Sequence, residues 1–574
     1  MRGWLCAVVF LAATSPAIAR DALDFATMQS GKFRSSVDLS AFAPPEDAKR
    51  PSHTFEGRLK LIGKLSTRTV VADKNFLYDE DIRAARTFPQ DFDFEFVQQG
   101  DALIPVQRGP ISGTHPWWEF VLEPGKVWDE ANDKGYTRAA IPFALVQKNA
   151  NCTHNGVLMI LFRGDRVLAN AAVQISSETC QYLQFDLWGL LKATYSAQPV
   201  ADRAGIVSRY ESEVANRIPT QPLSALAKLN GIDVAKLAIG DTSGSTRHGV
   251  VFNGMHYVSS CATRHGDYPY CDVLDVPSFS VAKSVVAGMG LMRMEKLNPG
   301  IKDRKVSDVV LASGCRREDW RDVTLLNLLD MDTGHYNDPA YMADEDSADV
   351  VRFFRPVENK YKLAFACEAY PRKQAPGQRW VYHTADTYLL GVALQTLQRA
   401  QPGHAQGDIF NDVVDAEIYA PLKLSPTTRV TRRSYDSAAQ PFFGWGLTMH
   451  ADDMAKLADF LNDDGGRIDG KPMLDDAMFK AAMQRDPKHG GLQVAHLENY
   501  RYQHGFWARN LQKELGCDQP TWIPFMSGFG GINVAMFPNG ATWYNIADDG
   551  KLTSIDFAKP AIEIAKLGKF CSPK

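Results

Sequence analysis

A chain of 574 residues with 45% hydrophobic and 23% charged side chains is too long for one ordinary domain and has the composition of a globular protein. A formal net charge of −4, without runs of Lys or Arg, gives no footing for nucleic acid as a partner.

The first segment is an export signal by pattern: Arg2, an apolar run from Trp4 to Ala13, then Ser15-Pro16-Ala17-Ile18-Ala19 before Arg20 and Asp21. Cleavage is predicted after Ala19, so residues 1–19 are expected to be removed and the mature protein to be periplasmic or secreted. The apolar run is too short to span a bilayer, and no later segment has the necessary length. Cys6 lies inside the apolar run, which argues against a lipid anchor. Eight cysteines remain after it, an even number that suits disulfides in an oxidising compartment. Of the 105 possible connectivities, the pairing of sequence neighbours is expected: Cys152–Cys180, Cys261–Cys271, Cys315–Cys367 and Cys517–Cys571. No C-x-x-C or H-E-x-x-H spacing suggests a metal, and no cofactor is expected.

Residues 20–205 read as a β-rich domain of unknown role. Ala139 to Gln147, Gly156 to Phe162 and Arg166 to Gln174 are short, β-branched or aromatic stretches broken by Gly, Asn and Asp, as in a sheet or sandwich. No catalytic constellation stands out here. Trp117 and Trp118, beside His115 and Pro116, suit either core packing or a carbohydrate-binding face. Tyr182 to Tyr195 reads as helical, and a polar connection follows from Pro199 toward Pro219 and Pro222.

Residues 206–574 alternate between periods. Helices are expected at Leu223 to Leu237, Val281 to Met294, Thr324 to Leu329, Tyr388 to Leu397 and Asp453 to Leu461, with strand-like runs at His248 to Tyr257 and Ile532 to Phe537. Helices mixed with a mainly antiparallel sheet make an α+β domain.

Ser280-Val281-Ala282-Lys283 carries the chemistry. Lys283 is the single charged residue between Val281 and Met292, so its helix is apolar on every face and its amine is buried. Burial lowers the pKa of an amine, and residues at i and i+3 share a helix face, so Lys283 is placed to act as base for the Ser280 hydroxyl. Pro277 and Ser278 set Ser280 near the helix start, where backbone N–H groups favour an alkoxide. The plain alternative is a lysine that snorkels past an apolar stem. S-x-x-K by itself should occur by chance roughly once or twice in a chain of this size, so the four letters need company.

The company begins about a hundred residues on, with Pro376-Gly377-Gln378-Arg379-Trp380-Val381-Tyr382-His383-Thr384-Ala385-Asp386-Thr387-Tyr388-Leu389-Leu390-Gly391. In that order, S-x-x-K, a Pro-Gly turn, an aromatic run ending in Tyr and then L-L-G resemble the class C β-lactamase and penicillin-binding family of serine hydrolases. Val323 to Gly334, Gly444 to Lys456 and Ser527 to Pro538 agree with that family in pattern and order, so the resemblance runs from about residue 210 to the C-terminus. It implies a catalytic domain with an antiparallel sheet flanked by helices and an all-helical lobe. It also implies that Ser280 is acylated, that Lys283 bonds to it, and that Tyr382 moves the proton between nucleophile and leaving group. The backbone N–H of Ser280 would be half of an oxyanion hole, and a strand N–H near Phe529, or Ile532 if the register slips, the other half.

Two departures bear on substrate. Many family members have Asn two residues after the tyrosine; here Thr384 stands there, after His383, in a form closer to the 6-aminohexanoate-oligomer hydrolase and esterase-like branch. Phe529 occupies the place of the third-motif cation that faces a substrate carboxylate. His383, Thr384, Gly530, Gly531 and Ile532 are the expected pocket residues, with His383 equally suited to the pocket wall. Asp386 is expected to brace the helix near Tyr388. The reading is an exported serine hydrolase of a small ester, amide or peptide-like substrate. A β-lactamase or D-Ala-D-Ala carboxypeptidase-like protein, and a catalytically weak binding or scaffolding protein, are the alternatives.

Overall fold

The computed structural model describes residues 22–176, 180–239, 245–486, 488, 490–547 and 555–571. The predicted signal segment lies outside the described residues.

The strands of the first region close on themselves. Glu56–Ile62, Asp93–Gln99, Ala102–Pro105, Gly125–Asp129, Thr137–Gln147, Thr153–Arg163, Asn170–Ile175 and Leu183–Ala197 each pair antiparallel with the next. Leu183–Ala197 then pairs back onto Glu56–Ile62, completing a barrel rather than an open sheet or sandwich. The interior is filled by alternate residues of each strand, among them Leu59, Phe94, Phe96, Ile141, Phe143, Ile160 and Phe185, so this is a packed core and not a channel. Alternate outward residues, including Ala140, Val157, Met159 and Leu161, join the core of the second region. That double burial explains why Thr137–Gln147 has no exposed residue.

The stretch expected as a helix from Tyr182 to Tyr195 is the long strand Leu183–Ala197. Leu183, Phe185, Leu187 and Leu191 share the inner face at a period of two, and pairing with three other strands outweighs the helical propensity of the leucines. Trp118 is core, its indole N–H bonded to Ala85 O at 2.8 Å.

The second region is built on a nine-stranded sheet. Its order is Thr220–Pro222, Met255–Val258, Ser245–Phe252, Thr542–Ala547, Ile532–Met536, Trp522–Gly528, Phe506–Asn510, Tyr500–Gln503 and Leu492–Gln493, antiparallel throughout except for the first pair. Helices Met289–Leu297, Leu325–Asp330, Thr384–Arg399 and Ala451–Asn462 pack with it, giving the expected α+β fold. The helix expected over Leu223 to Leu237 stops at Leu226, because Asn230 and Gly231 both turn left-handed, at φ +52° and +65°. All eight cysteines outside the signal segment are bonded in the expected pairs, with Cα–Cα distances between 4.8 and 5.8 Å.

Candidate functional site

Ser280 stands at a sharp turn between a strand and a helix. Val276–Pro277 pairs with Thr448–Met449, Ser278 N donates to Leu447 O at 3.0 Å, and the helix opens with Val281 N on Ser278 O. Between them Phe279 is left-handed, at φ +39°, a conformation that costs a bulky residue about 1–3 kcal/mol. That reversal aims the half-buried Ser280 side chain at the helix's next turn. The segment Lys283–Gly288 is a π-helix, a widened turn frequent at functional sites.

Lys283, 1% exposed, donates to Ser280 Oγ at 2.9 Å, to Thr384 Oγ1 at 2.8 Å and to Gly444 O at 3.3 Å. Burial lowers its pKa to about 8 against the opposing pull of Glu345 and Asp386. The amine also lies 4.8 Å from the centre of the Tyr382 ring. Burial drives the Tyr382 phenol well above its ordinary value, with Tyr502 and Glu345 adding to the rise and its bond to Ser280 opposing it. Burial thus brings the lysine's loss of its proton down to about pH 8, while it holds the phenol protonated.

The expected pocket residues divide. Thr384 begins its helix and bonds Lys283; its hydroxyl donates to Glu345 Oε1, and its N–H to Glu345 Oε2 at 2.9 Å. Glu345 was not legible as a site residue, since it lies in a polar loop with no motif around it. His383 does not line the cavity: it is 1% exposed, stacked on Tyr370 at 4.0 Å, and its Nε2 lies 2.9 Å from Asp344 Oδ2. Burial opposes its charge, but Asp344 and Asp386 prevail and raise its pKa to about 9. Asp386 lies in the first turn of the helix Thr384–Arg399, its Oδ2 3.5 Å from His383 Nδ1. Gly530, Gly531 and Ile532 also fall outside the cavity lining; the two glycines make the tight left-handed reversal between strands, at φ +83° and +92°.

Phe529 does reach the cavity, immediately after the strand Trp522–Gly528. A Cβ on Gly528 would stand 2.7 Å from Ser278 O, so only glycine lets this strand end press against the nucleophile turn. The Phe529 ring packs on Phe279, and on Phe76 and Tyr182 of the first region, at 5.6 to 6.2 Å between centroids.

Ser280, Tyr382, Thr384 and Phe529 share one cavity of about 590 Å³. Its walls are rich in aromatic rings and come from both regions, Trp117 and Tyr182 from the first and Tyr341, Trp445 and Trp507 from the second. Two wall cations are already engaged: Lys148 donates to Gly113 O at 2.7 Å, and Arg355 pairs with Asp81 at 2.8 Å.

Two groups of described residues bring metal-type donors together. In one, Cys152 and Cys180 are bonded to each other beside His154. In the other, Glu123 of the first region meets Asp275 and His450 of the second, His450 Nε2 lying 3.3 and 3.5 Å from the two carboxylates. Burial disfavours the His450 charge, but Glu123 and Asp275 raise its pKa well above the ordinary value, and Arg108 donates to Glu123 at 2.6 Å. His450 and Arg108 thus answer Glu123 across the junction, while burial and the neighbouring Glu123 raise the pKa of Asp275 to about 7.

Residues 276–543 match the family model described as Beta-lactamase. No curated protein matches the chain. Among solved structures, similarity extends to a protein assigned as a 6-aminohexanoate-dimer hydrolase from Bacillus anthracis, at 16% identity and a TM-score of 0.42 over 56% of this chain and 79% of the other. A penicillin-binding protein homolog from Caulobacter crescentus aligns at 17% identity and 0.39, over 62% and 98%. EstCE1, a hydrolase with promiscuous acyltransferase activity, aligns at 15% and 0.40, over 63% and 99%. Likeness at this level says nothing of this chain's substrate.

Proposed function

Residues 276–543 match the Beta-lactamase family model, and on that ground we propose that the protein is an exported serine hydrolase acting on an uncharged ester or amide through an acyl-enzyme on Ser280. The observation that carries the reading is the buried Lys283 amine, 2.9 Å from Ser280 Oγ with Tyr382 on the same hydroxyl. Neutral Lys283 takes the Ser280 proton as Oγ attacks the carbonyl carbon. The Ser280 N–H and the Phe529 N–H hold the oxyanion. Tyr382, which keeps its proton, delivers one to the leaving alcohol or amine as the ester or amide bond breaks, and is reprotonated through Lys283. Water then attacks the acyl carbonyl by the reverse path, releasing the acid and restoring Ser280.

Support for an uncharged substrate comes from the third-motif position, where Phe529 stands in place of a cation, and from the wall cation Arg355, already paired with Asp81. The carboxylate of Glu345 beside Thr384 disfavours an anionic substrate further. The export signal and four disulfides support action outside the cytoplasm. Among described residues no helix is long and apolar enough to cross a membrane. Residues 20–205 and 206–574 are proposed as the two domains, the first supplying one cavity wall.

Intact-mass measurement after exposure to a fluorophosphonate probe is expected to show one adduct, on Ser280. A labelled-penicillin adduct there would favour the β-lactam reading; absence of any adduct would favour a binding protein. Because the base must be unprotonated, acylation should be slow below pH 7, rise with pH, and level off above about 8. A rate independent of pH from 6 to 9 would remove Lys283 as the base. Tyr382→Phe should slow turnover by roughly a hundredfold, within the range of general acid catalysis, and unchanged turnover would mean the proton travels elsewhere.

A further inference from the structure

We infer that the barrel is a working part of the catalytic centre, with Asn151 as the residue that positions the nucleophile turn. The inference rests on the acyl-enzyme reading for the task of Ser280, and on geometry for the place of Asn151.

Asn151 lies in the short connection between the barrel strands Thr137–Gln147 and Thr153–Arg163, next to Cys152, which is bonded to Cys180. Only 2% exposed, its side chain leaves the barrel and enters the second region. Its Oδ1 accepts from Phe279 N at 2.9 Å and from Gly446 N at 3.0 Å, and the Ser278 hydroxyl lies 3.2 Å away. Its Nδ2 donates to Leu447 O at 3.0 Å. Two backbone N–H groups on one atom and a carbonyl on the other fix the orientation of the amide.

These partners are the two segments on which the chemistry depends. Phe279 is the left-handed residue before Ser280, and Gly446, at φ +113°, lies two residues from Gly444, whose carbonyl accepts from Lys283. One amide therefore clamps the segment presenting the nucleophile to the segment helping to hold its base. Isolated, the strained turn has no reason to keep φ +39°, and relaxing it swings Ser280 Oγ away from Lys283. A neighbouring side chain on the same hairpin offers a contrast. Asn155 also crosses the junction, exchanging hydrogen bonds with Asp275 N at 2.9 Å and Asp275 O at 2.7 Å, but its partner lies five residues upstream of Ser280. Asn155 docks the domains, whereas Asn151 shapes the turn.

The test uses the full chain and single-turnover acylation by a fluorophosphonate and by an aryl ester, with melting curves alongside. Asn151→Ala should slow acylation at saturation by about ten- to a hundredfold, the loss expected when reacting atoms shift by an ångström or less. The half-saturating ester concentration should change less than the rate, because Asn151 is only one of the residues lining the cavity. Asn151→Asp, which keeps an oxygen for Phe279 and Gly446 but sets its second oxygen against Leu447 O, should restore only part of the rate. Asn155→Ala should lower the melting temperature without slowing acylation at saturation. A folded Asn151→Ala that acylates within about twofold of the wild type overturns the inference, as does an equal slowing by Asn155→Ala. Should the alanine variant not fold, Asn151→Asp and Asn151→Ser decide in its place, the inference requiring Asp to be the faster and equal rates sinking it. A wild-type protein that no probe labels at Ser280 removes the acyl-enzyme reading and this inference with it; labelled wild type beside an unimpaired Asn151→Ala removes the inference alone.

Discussion

Ser280→Ala should abolish covalent labelling and lower kcat/KM by at least about 10⁴-fold, the scale seen when a nucleophile acting with its base is removed. The expectation is this large because no neighbouring hydroxyl can take over. Ser278 is fully buried, accepts from Leu447 N at 3.2 Å and faces Asn151. Ser284 is buried and donates to Gly505 O at 2.6 Å, away from the cavity. The variant should fold normally, since Ser280 is half-buried and its loss removes one partner each from Lys283 and Tyr382, with Thr384 and Gly444 still bonded to the amine. Intact-mass analysis and a melting curve on the same sample separate a dead site from a damaged fold. Labelling that persisted on this variant would place the nucleophile elsewhere.

Lys283→Met should cost nearly as much activity, about 10³-fold or more, while leaving the fold at least as stable. The two effects have opposite signs for one physical reason. Holding this amine in an apolar helix depresses its pKa from 10.5 to about 8, which disfavours the folded state by roughly 3 kcal/mol wherever both states would be protonated, below about pH 8. Between about pH 8 and 10.5 the unfolded chain holds the proton and the folded chain does not, so stability rises with pH and the cost fades. Methionine fills the same volume without a charge, at the expense of hydrogen bonds to Ser280 and Thr384 worth about 1 kcal/mol each. A melting temperature at pH 7 equal to or above that of the wild type, with activity lost, marks a base retained for chemistry. A large drop in melting temperature would mark a structural lysine instead. The pH dependence of stability between 8 and 10.5 should also flatten in the variant.

Much of this site could be read before any fold was known. Ser280 and Lys283 one helical turn apart in an otherwise apolar stretch required a buried amine, and Tyr382 followed from the order of segments behind the family resemblance. The absent third-motif cation was visible as Phe529. Local pattern served well there because nucleophile and base lie three residues apart on one helix, so their contact is set by helix geometry alone.

Other residues misled where the deciding partner is distant in sequence. His383, adjacent to Tyr382, is turned away from the cavity by Tyr370 and Asp344, and Glu345 is brought to Thr384 across 39 residues. Leu183–Ala197 shows the same limit in the fold, its leucines as compatible with a helix as with the strand that barrel closure selects.

By itself, then, the sequence carried the contact of Ser280 with Lys283 one helical turn away, the resemblance of the segments around it to a known family, and the pairing of the eight cysteines that follow the predicted signal. Only the tertiary structure decided that a strand-rich region without a motif closes into a barrel, supplies one wall of the cavity and sends Asn151 to the residue before the nucleophile. The division follows range: periodicity and motif spacing report neighbours within a few residues, whereas a hydrogen bond spanning 128 residues leaves no trace until the two regions are packed together.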